Sequence, residues 1–204
     1  MIQVIRFFMW ITYLLNTVNA FNFFITFYTA IRLNYKPILI IMILFAYAGN
    51  MNVEKFVKTV PSARNLGVAK LPGYSFAFNS TGDDESAKAN VVKSFDPEAM
   101  VWGVLIELLD EERSNFHDPM WSSVLKLEPV LCFDNNDNMY HAEVFVTQPH
   151  AISTHLLPYD WYHNKILKLA TDAGLPQSYI SQIAVMPYKI DPDEIRRQRR
   201  LKRI

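Results

Sequence analysis

At 204 residues the chain is long enough for one domain with its own core. Half of its residues are hydrophobic and 14% are aromatic, which excludes a disordered chain, while a formal net charge of zero excludes a general electrostatic pull toward nucleic acid or acidic membranes. The single cysteine, Cys132, cannot close an internal disulfide, so the chain suits a reducing, cytoplasmic compartment and Cys132 reads as a small buried apolar residue.

In chain order, the first unit is a hydrophobic extension, residues 1–36. Phe7 to Ile31 carries no charged residue and is followed by Arg32 and Lys36. That is the length of a membrane span, yet Asn16, Asn19 and Asn22 fall in its middle with Thr12, Thr17, Thr26 and Thr29 around them. A signal peptide fits less well, since the uncharged stretch exceeds an h-region and no small-residue cleavage site ends it. Three readings stay open: a membrane anchor through residues 7–31, a segment packed on the domain or a partner, and a start assigned too far upstream. The wealth of Ile, Phe, Asn, Tyr and Lys, residues of AT-rich codons, argues for the last.

A domain over residues 37–192 follows. Ile38 to Tyr47 is an almost unbroken apolar run that breaks at Ala48-Gly49-Asn50, as a strand buried on both faces does before a tight loop. Val53, Phe56, Val57 and Val60 have helical spacing, Asn52 is placed to cap that helix, and Pro61 stops it. The N–H groups and partial positive charge of the helix start would favour a ligand with a carbonyl or an anionic group. Ala63 to Lys70 and the alternating Tyr74, Phe76 and Phe78 read as strands, Ser80 to Lys88 as a polar surface loop, and Val91-Val92 and Met100 to Leu108 as strands again. Gly103, inside the last of these, signals a close backbone approach or a bulge.

Asp110 to Pro119 suits a short helix or loop, and Val124 to Phe133 with Met139 to Thr147 forms a hairpin about the turn Asp134 to Asn138. Asp160 to Ala173 is the clearest helix, with Asp160 as its cap, Gly174 as its end and Tyr162, Ile166, Leu169 and Ala173 on one face. A shorter helix spans Gln177 to Ala184. Strands in the middle and helices at the end give an α+β class. Residues 193–204 are a basic tail, Arg196 to Arg203, which reads as a solvated or frayed helix, with a nuclear-localisation or anionic-surface role as the alternative.

Several enzyme classes are excluded by motif, because there is no Gly-x-Ser-x-Gly elbow, Walker loop, dinucleotide glycine fingerprint or paired Cys-x-x-Cys. The five histidines do not pair at helical ligand spacing, and His150 and His155 have no evident carboxylate partner, so no metal site is expected. The alternating aromatics have no basic residues between them and suit a core rather than a nucleic-acid platform.

The segment Phe45-Ala46-Tyr47-Ala48-Gly49-Asn50-Met51 resembles the Phe-Ala-Tyr-Gly-Ser-Asn-(Leu/Met) signature of the γ-glutamylcyclotransferases. Pro61-Ser62-Ala63, Val68 to Leu71, Val101-Trp102-Gly103-Val104, Tyr162, Gly174-Leu175-Pro176 and Tyr179 keep register with that family, so the resemblance spans Ile38 to Pro192. Asn50 points to the branch acting on general γ-glutamyl dipeptides rather than the glutathione-specific one. The resemblance implies a small mixed β-barrel with flanking helices, no cofactor, and a small-molecule γ-glutamyl dipeptide as partner, with a homodimer left open.

In such enzymes the substrate's α-amine attacks its own γ-amide carbonyl, releasing 5-oxoproline and an amino acid. The chemistry needs N–H donors for a carboxylate or oxyanion, and one carboxylate to carry a proton from the attacking ammonium to the leaving amine. The resemblance assigns the donors to the loop Leu44, Phe45, Ala46, Tyr47, Ala48, Gly49 and Asn50, and a substrate-contacting hydroxyl to Tyr162. Counted without gaps from Val101 to Val104, Met120 stands where the family has its glutamate, and methionine cannot move a proton. A gapped register makes Glu112 the base, and Asp118 is a further candidate; with neither, the chain is a non-catalytic relative that keeps the pocket as a binding module. Ala48 stands in place of a glycine, a change costing about 1 kcal/mol if the position needs positive φ, and Gly49 in place of the serine removes a hydroxyl.

Overall fold

The computed structural model describes residues 39–117 and 123–204. The extension, including the stretch 7–31, therefore lies outside the described residues, and so do Asp118 and Met120. Among the described residues no helix is long and apolar enough to cross a membrane.

Among the described residues seven strands carry the fold: β1 (Ile41–Ala46), β2 (Arg64–Pro72), β3 (Tyr74–Thr81), β4 (Ala87–Lys93), β5 (Met100–Leu109), β6 (Leu125–Asp134) and β7 (Met139–Thr147). Five close a barrel in the order β1-β5-β2-β6-β7, while β3 and β4 form a separate two-stranded sheet. The barrel is mixed: β1 runs parallel to β7, with Leu44 opposite Glu143 and Phe45 opposite Val144, and antiparallel to β5. Closure leaves no barrel strand with an unpaired edge. The α+β barrel expected from the sequence is the fold observed.

The continuous apolar run predicted as a two-face-buried strand is β1, whose Leu44, Phe45 and Ala46 are buried with Leu105, Ile106 and Leu108 of β5 and Val144 of β7. Burying each large side chain of this set contributes about 2 kcal/mol. Gly103 lets β5 pass close to β1, since a Cβ there would stand 2.4 Å from the Ala46 carbonyl oxygen and 2.8 Å from the Phe45 ring. A second glycine, Gly67, has φ +107° at the bulge that shifts the register of β2 against β5.

Among the described residues four α-helices flank the strands: α1 (Val53–Val57), α2 (Asp160–Asp172), α3 (Gln177–Ala184) and α4 (Glu194–Leu201). Asn52 caps α1 as predicted, its Oδ1 accepting the Lys55 N–H at 2.8 Å. Gly174, at φ +72°, ends α2. Ile166, Leu169 and Ala170 of α2 and Ile180 and Ile183 of α3 are buried in the core.

Three local expectations change. The polar stretch Ser80 to Lys88 is only in part a loop: β3 extends to Thr81, β4 begins at Ala87, and Ser80, Ser86 and Ala87 are buried. The reason is a local network, in which Asp84 accepts from Ser86 and Lys88 while the Ala87 N–H bonds the Leu157 carbonyl. Asp160 does not cap α2; Tyr159 holds the N-cap position, and the Asp160 carboxylate accepts instead from Arg197 Nε at 2.6 Å and the Asp191 N–H at 3.3 Å. The basic segment is an ordered helix, α4, fastened by Arg197 to Asp160 and by Arg196 to the buried Asp191, and it belongs to the compact unit Ile40–Ile204. Asp191 also accepts from the Trp161 indole at 2.8 Å.

Candidate functional site

Strand β1 delivers the loop at the barrel end where Ala46 faces Val104. Tyr47 is buried, its hydroxyl donates to the Phe145 carbonyl at 2.8 Å, and burial raises its pKa, helped by the nearby Tyr162 and Tyr179. Its phenol thus anchors the loop to β7. Ala48 has φ −138°, so this position does not need positive φ and its Cβ carries no conformational penalty of the kind expected from the sequence. A 3-10 turn, Gly49–Met51, follows at once, with the Met51 N–H on the Ala48 carbonyl at 2.9 Å. The first N–H groups of such a turn, those of Gly49 and Asn50, have no acceptor within it.

An aromatic row runs from this loop to α2. The ring of Tyr47 meets Phe76 edge-on at 6.3 Å, Phe76 meets Phe78 at 5.1 Å, and Phe78 meets Tyr162 at 6.1 Å, with Tyr179 edge-on to Phe76 at 6.5 Å. The alternation of Phe76 and Phe78 in β3 and the helical face of α2 produce this row. Tyr162 accepts the Ala89 N–H through its hydroxyl at 3.3 Å, which leaves the hydroxyl's own proton without an acceptor among the described residues. Burial pushes that phenol up to about 12, so it stays a donor at neutral pH.

Cations that the sequence reading passed over gather here. The Nζ of Lys165, one turn beyond Tyr162 on α2, lies 3.8 Å from where a Cβ on Gly49 would stand. Burial lowers its pKa, and the positive charges of Lys55, Arg200 and Lys88 lower it further. Lys88 Nζ lies 5.1 Å from the Trp161 ring centroid and 5.0 Å from that of Tyr162, while the Arg200 guanidinium lies 5.1 Å from the Trp161 ring. Asp84 pairs with Lys88 at 2.7 Å; burial opposes its ionisation, but the bonds from Lys88 and Ser86 prevail and hold the carboxyl below its usual range. A lysine one turn after Tyr162 on α2 is visible in the sequence, but nothing there sets it apart from an ordinary solvated one.

Glu112 is not brought to this group. It sits in the 3-10 helix Asp110–Asn115 that follows β5, at the barrel end where Leu109 faces Ile41. Five residues of strand separate that pairing from Ala46 opposite Val104, about 16 Å along the barrel. There Glu112 Oε2 accepts the Ser62 N–H at 3.0 Å and the Ser62 hydroxyl at 2.5 Å. Cys132 is buried in the core and burial pushes its thiol up to about 12, as suits an inert apolar role. Among the described residues no group of three His, Cys, Asp or Glu is arranged to hold a metal ion.

No family model matches the sequence, and no curated protein matches it. Solved structures do. A gamma-glutamyl cyclotransferase is 20% identical with a TM-score of 0.67, the match covering 81% of this chain and all of that one. An uncharacterized protein from Homo sapiens is also 20% identical, with a TM-score of 0.63 over 76% of this chain and 96% of its own. YkqA from Bacillus subtilis is 15% identical, with a TM-score of 0.56 over 72% of this chain and 56% of its own. The barrel, its two-stranded companion sheet and the helices around them are thus the gamma-glutamyl cyclotransferase fold.

Proposed function

We propose that the chain binds γ-glutamyl amino acids at the Tyr47–Asn50 loop and converts them to 5-oxoproline and a free amino acid. The observation that carries this reading is that the Gly49–Met51 turn, whose first N–H groups have no acceptor within it, stands beside α2, the helix that carries Tyr162, with the Lys165 Nζ 3.8 Å from where a Gly49 Cβ would stand. Donors of this kind, fixed by the fold before the ligand arrives, stabilise a carboxylate or a developing oxyanion without reorganisation at the moment of reaction. In the reaction the α-amine forms a bond to the γ-carbonyl carbon and the amide C–N bond breaks. A carboxylate takes the proton from the attacking nitrogen and returns it to the leaving amine, so no water is consumed.

The carboxylate proposed for this transfer is Asp118. Glu112 lies at the far end of the barrel and is held by Ser62, and Asp84 is held by Lys88 in its ionised form. Those same two engagements favour a second reading, a non-catalytic relative that keeps the pocket for binding. Incubating the full chain with γ-glutamyl-alanine separates the two: 5-oxoproline above the enzyme-free blank supports turnover, and saturable binding without product supports the binding module.

A further inference from the structure

Helix α4 has two unlike faces. On one, Arg196 and Arg197 turn inward onto Asp191 and Asp160, Arg200 lies over the Trp161 ring and Leu201 is half-buried. On the other, Ile195, Arg199, Lys202 and Arg203 follow one another at helical spacing and are exposed, Ile195 at 84%. Among the described residues no side-chain carboxylate pairs with Arg199, Arg200, Lys202 or Arg203, and Glu194, the one acid of α4, is bonded to Arg197 and Gln198. Outside the described residues the only acid is Asp118.

The charge of the chain is segregated. Residues 194–204 carry six Lys and Arg against one acid, whereas residues 39–193 carry eleven Lys and Arg against nineteen Asp and Glu. A net charge of zero thus conceals a local cationic surface on an acidic body. A helix C-terminus favours a cation, but the four between Arg199 and Arg203 repel one another unless an anion meets them. The two inward ion pairs fix the rotation of α4, so the outer cations are presented together and little ordering remains to be done on binding.

We propose that the outer face of α4 docks on an anionic lipid surface, with Arg199, Lys202 and Arg203 on the headgroups and Ile195 entering the apolar boundary beneath them. The extension does not complement this face, because Phe7 to Ile31 carries no charged residue. Ile195 decides between lipid and nucleic acid: a large apolar side chain left in water among the cations gains from a headgroup layer, which offers both charge and an apolar boundary, and gains nothing from a phosphate backbone. The proposal does not depend on the cyclotransferase reading, and its test uses no γ-glutamyl compound.

The full chain is sedimented with vesicles of phosphatidylcholine alone and of phosphatidylcholine with about one-third phosphatidylserine, and its binding to duplex DNA is measured in parallel. Whatever the extension contributes is common to both vesicles, so the readout is the ratio of the two partition coefficients. The variants are the triple Arg199→Gln, Lys202→Gln, Arg203→Gln, the single Ile195→Gln, and a control with the same change of charge elsewhere on the surface, Lys55→Gln, Lys58→Gln, Lys93→Gln; thermal melts confirm that each is folded. Wild type is expected to prefer the anionic vesicles about 100-fold, about fivefold for each cation. The triple α4 variant brings the ratio close to one, and the control keeps most of it. Ile195→Gln weakens binding to the anionic vesicles about fivefold and leaves binding to DNA unchanged. Equal partition of the wild type onto the two vesicles, or a control that falls as far as the α4 variant, overturns the proposal. So does binding to DNA tighter than to the anionic vesicles with Ile195→Gln without effect on either, which would make α4 a nucleic-acid face.

Discussion

Glu112 Oε2 accepts both the N–H and the hydroxyl of Ser62, and the Ser62 hydroxyl oxygen in turn accepts the Leu109 N–H at 2.9 Å. The carboxylate therefore fastens the turn after α1 to the end of β5, far from the loop. Glu112→Gln is expected to lower stability by about 1 kcal/mol in a denaturant titration and to leave 5-oxoproline release within twofold of wild type. Asp118→Asn is expected to lower kcat at least about 100-fold, the scale of a lost general base. A larger loss of kcat in Glu112→Gln than in Asp118→Asn would reverse the assignment.

Tyr162→Phe removes the hydroxyl at the α2 end of the aromatic row and keeps the ring against Phe78. Binding of N-glutaryl-alanine, a probe that lacks the α-amine and cannot cyclise, is expected to weaken about fivefold, corresponding to one hydrogen bond. The Ala89 N–H also loses its acceptor, so the melting temperature falls slightly. Unchanged affinity would make Tyr162 a packing residue only.

Gly103→Ala places a methyl group 2.4 Å from the Ala46 carbonyl oxygen. Because the obstacle is backbone, β1 and β5 must separate locally, and a loss of about 2 kcal/mol is expected, measured by equilibrium unfolding. Since β1 leads directly into the Tyr47–Asn50 loop, weaker binding of N-glutaryl-alanine accompanies it.

Asp191 gives the fold an acid-sensitive fastening. Hydrogen bonds from Arg196 outweigh the opposing effect of burial and, with the Trp161 indole and the Asp193 N–H, hold its carboxyl at about 2, below the ordinary 3.8. A carboxyl depressed in the folded state contributes stability that is fully present above its ordinary range and is lost as pH falls from about 4 to about 2. Asp191→Ala is expected to flatten that part of the stability–pH curve. At neutral pH it costs about 2 kcal/mol, because the Trp161 N–H is left without its acceptor. An unchanged acid limb in chemical denaturation between pH 2 and 5 contradicts this role.

Much of the fold was legible in the sequence where local signals agreed. The apolar run before Ala48-Gly49-Asn50, the Asn52 cap, the Gly174 stop and the hairpin about Asp134 to Asn138 each carry a short-range signature, and each became the expected element. What the sequence did not show depends on long-range partners. Asp160 looked like a cap because its neighbours along the chain make it one, whereas Arg197, 37 residues on, claims its carboxylate. The basic block looked solvated because Asp191 and Asp160 are recognisable as its acceptors only once α2 and α4 are side by side. At the site, the loop and Tyr162 were readable from the resemblance. Lys165 was not, since a lysine on a helix face is ordinarily solvated and its packing against the Gly49 turn shows only in the structure.

The most direct test of the central claim is the product balance from γ-glutamyl-alanine with the full chain. Intramolecular attack predicts 5-oxoproline and alanine in equal amounts with no free glutamate, at a rate well above the enzyme-free blank. Glutamate in place of 5-oxoproline would mean hydrolysis, and no product from a folded protein would mean a binding module. Either result contradicts the cyclotransferase account.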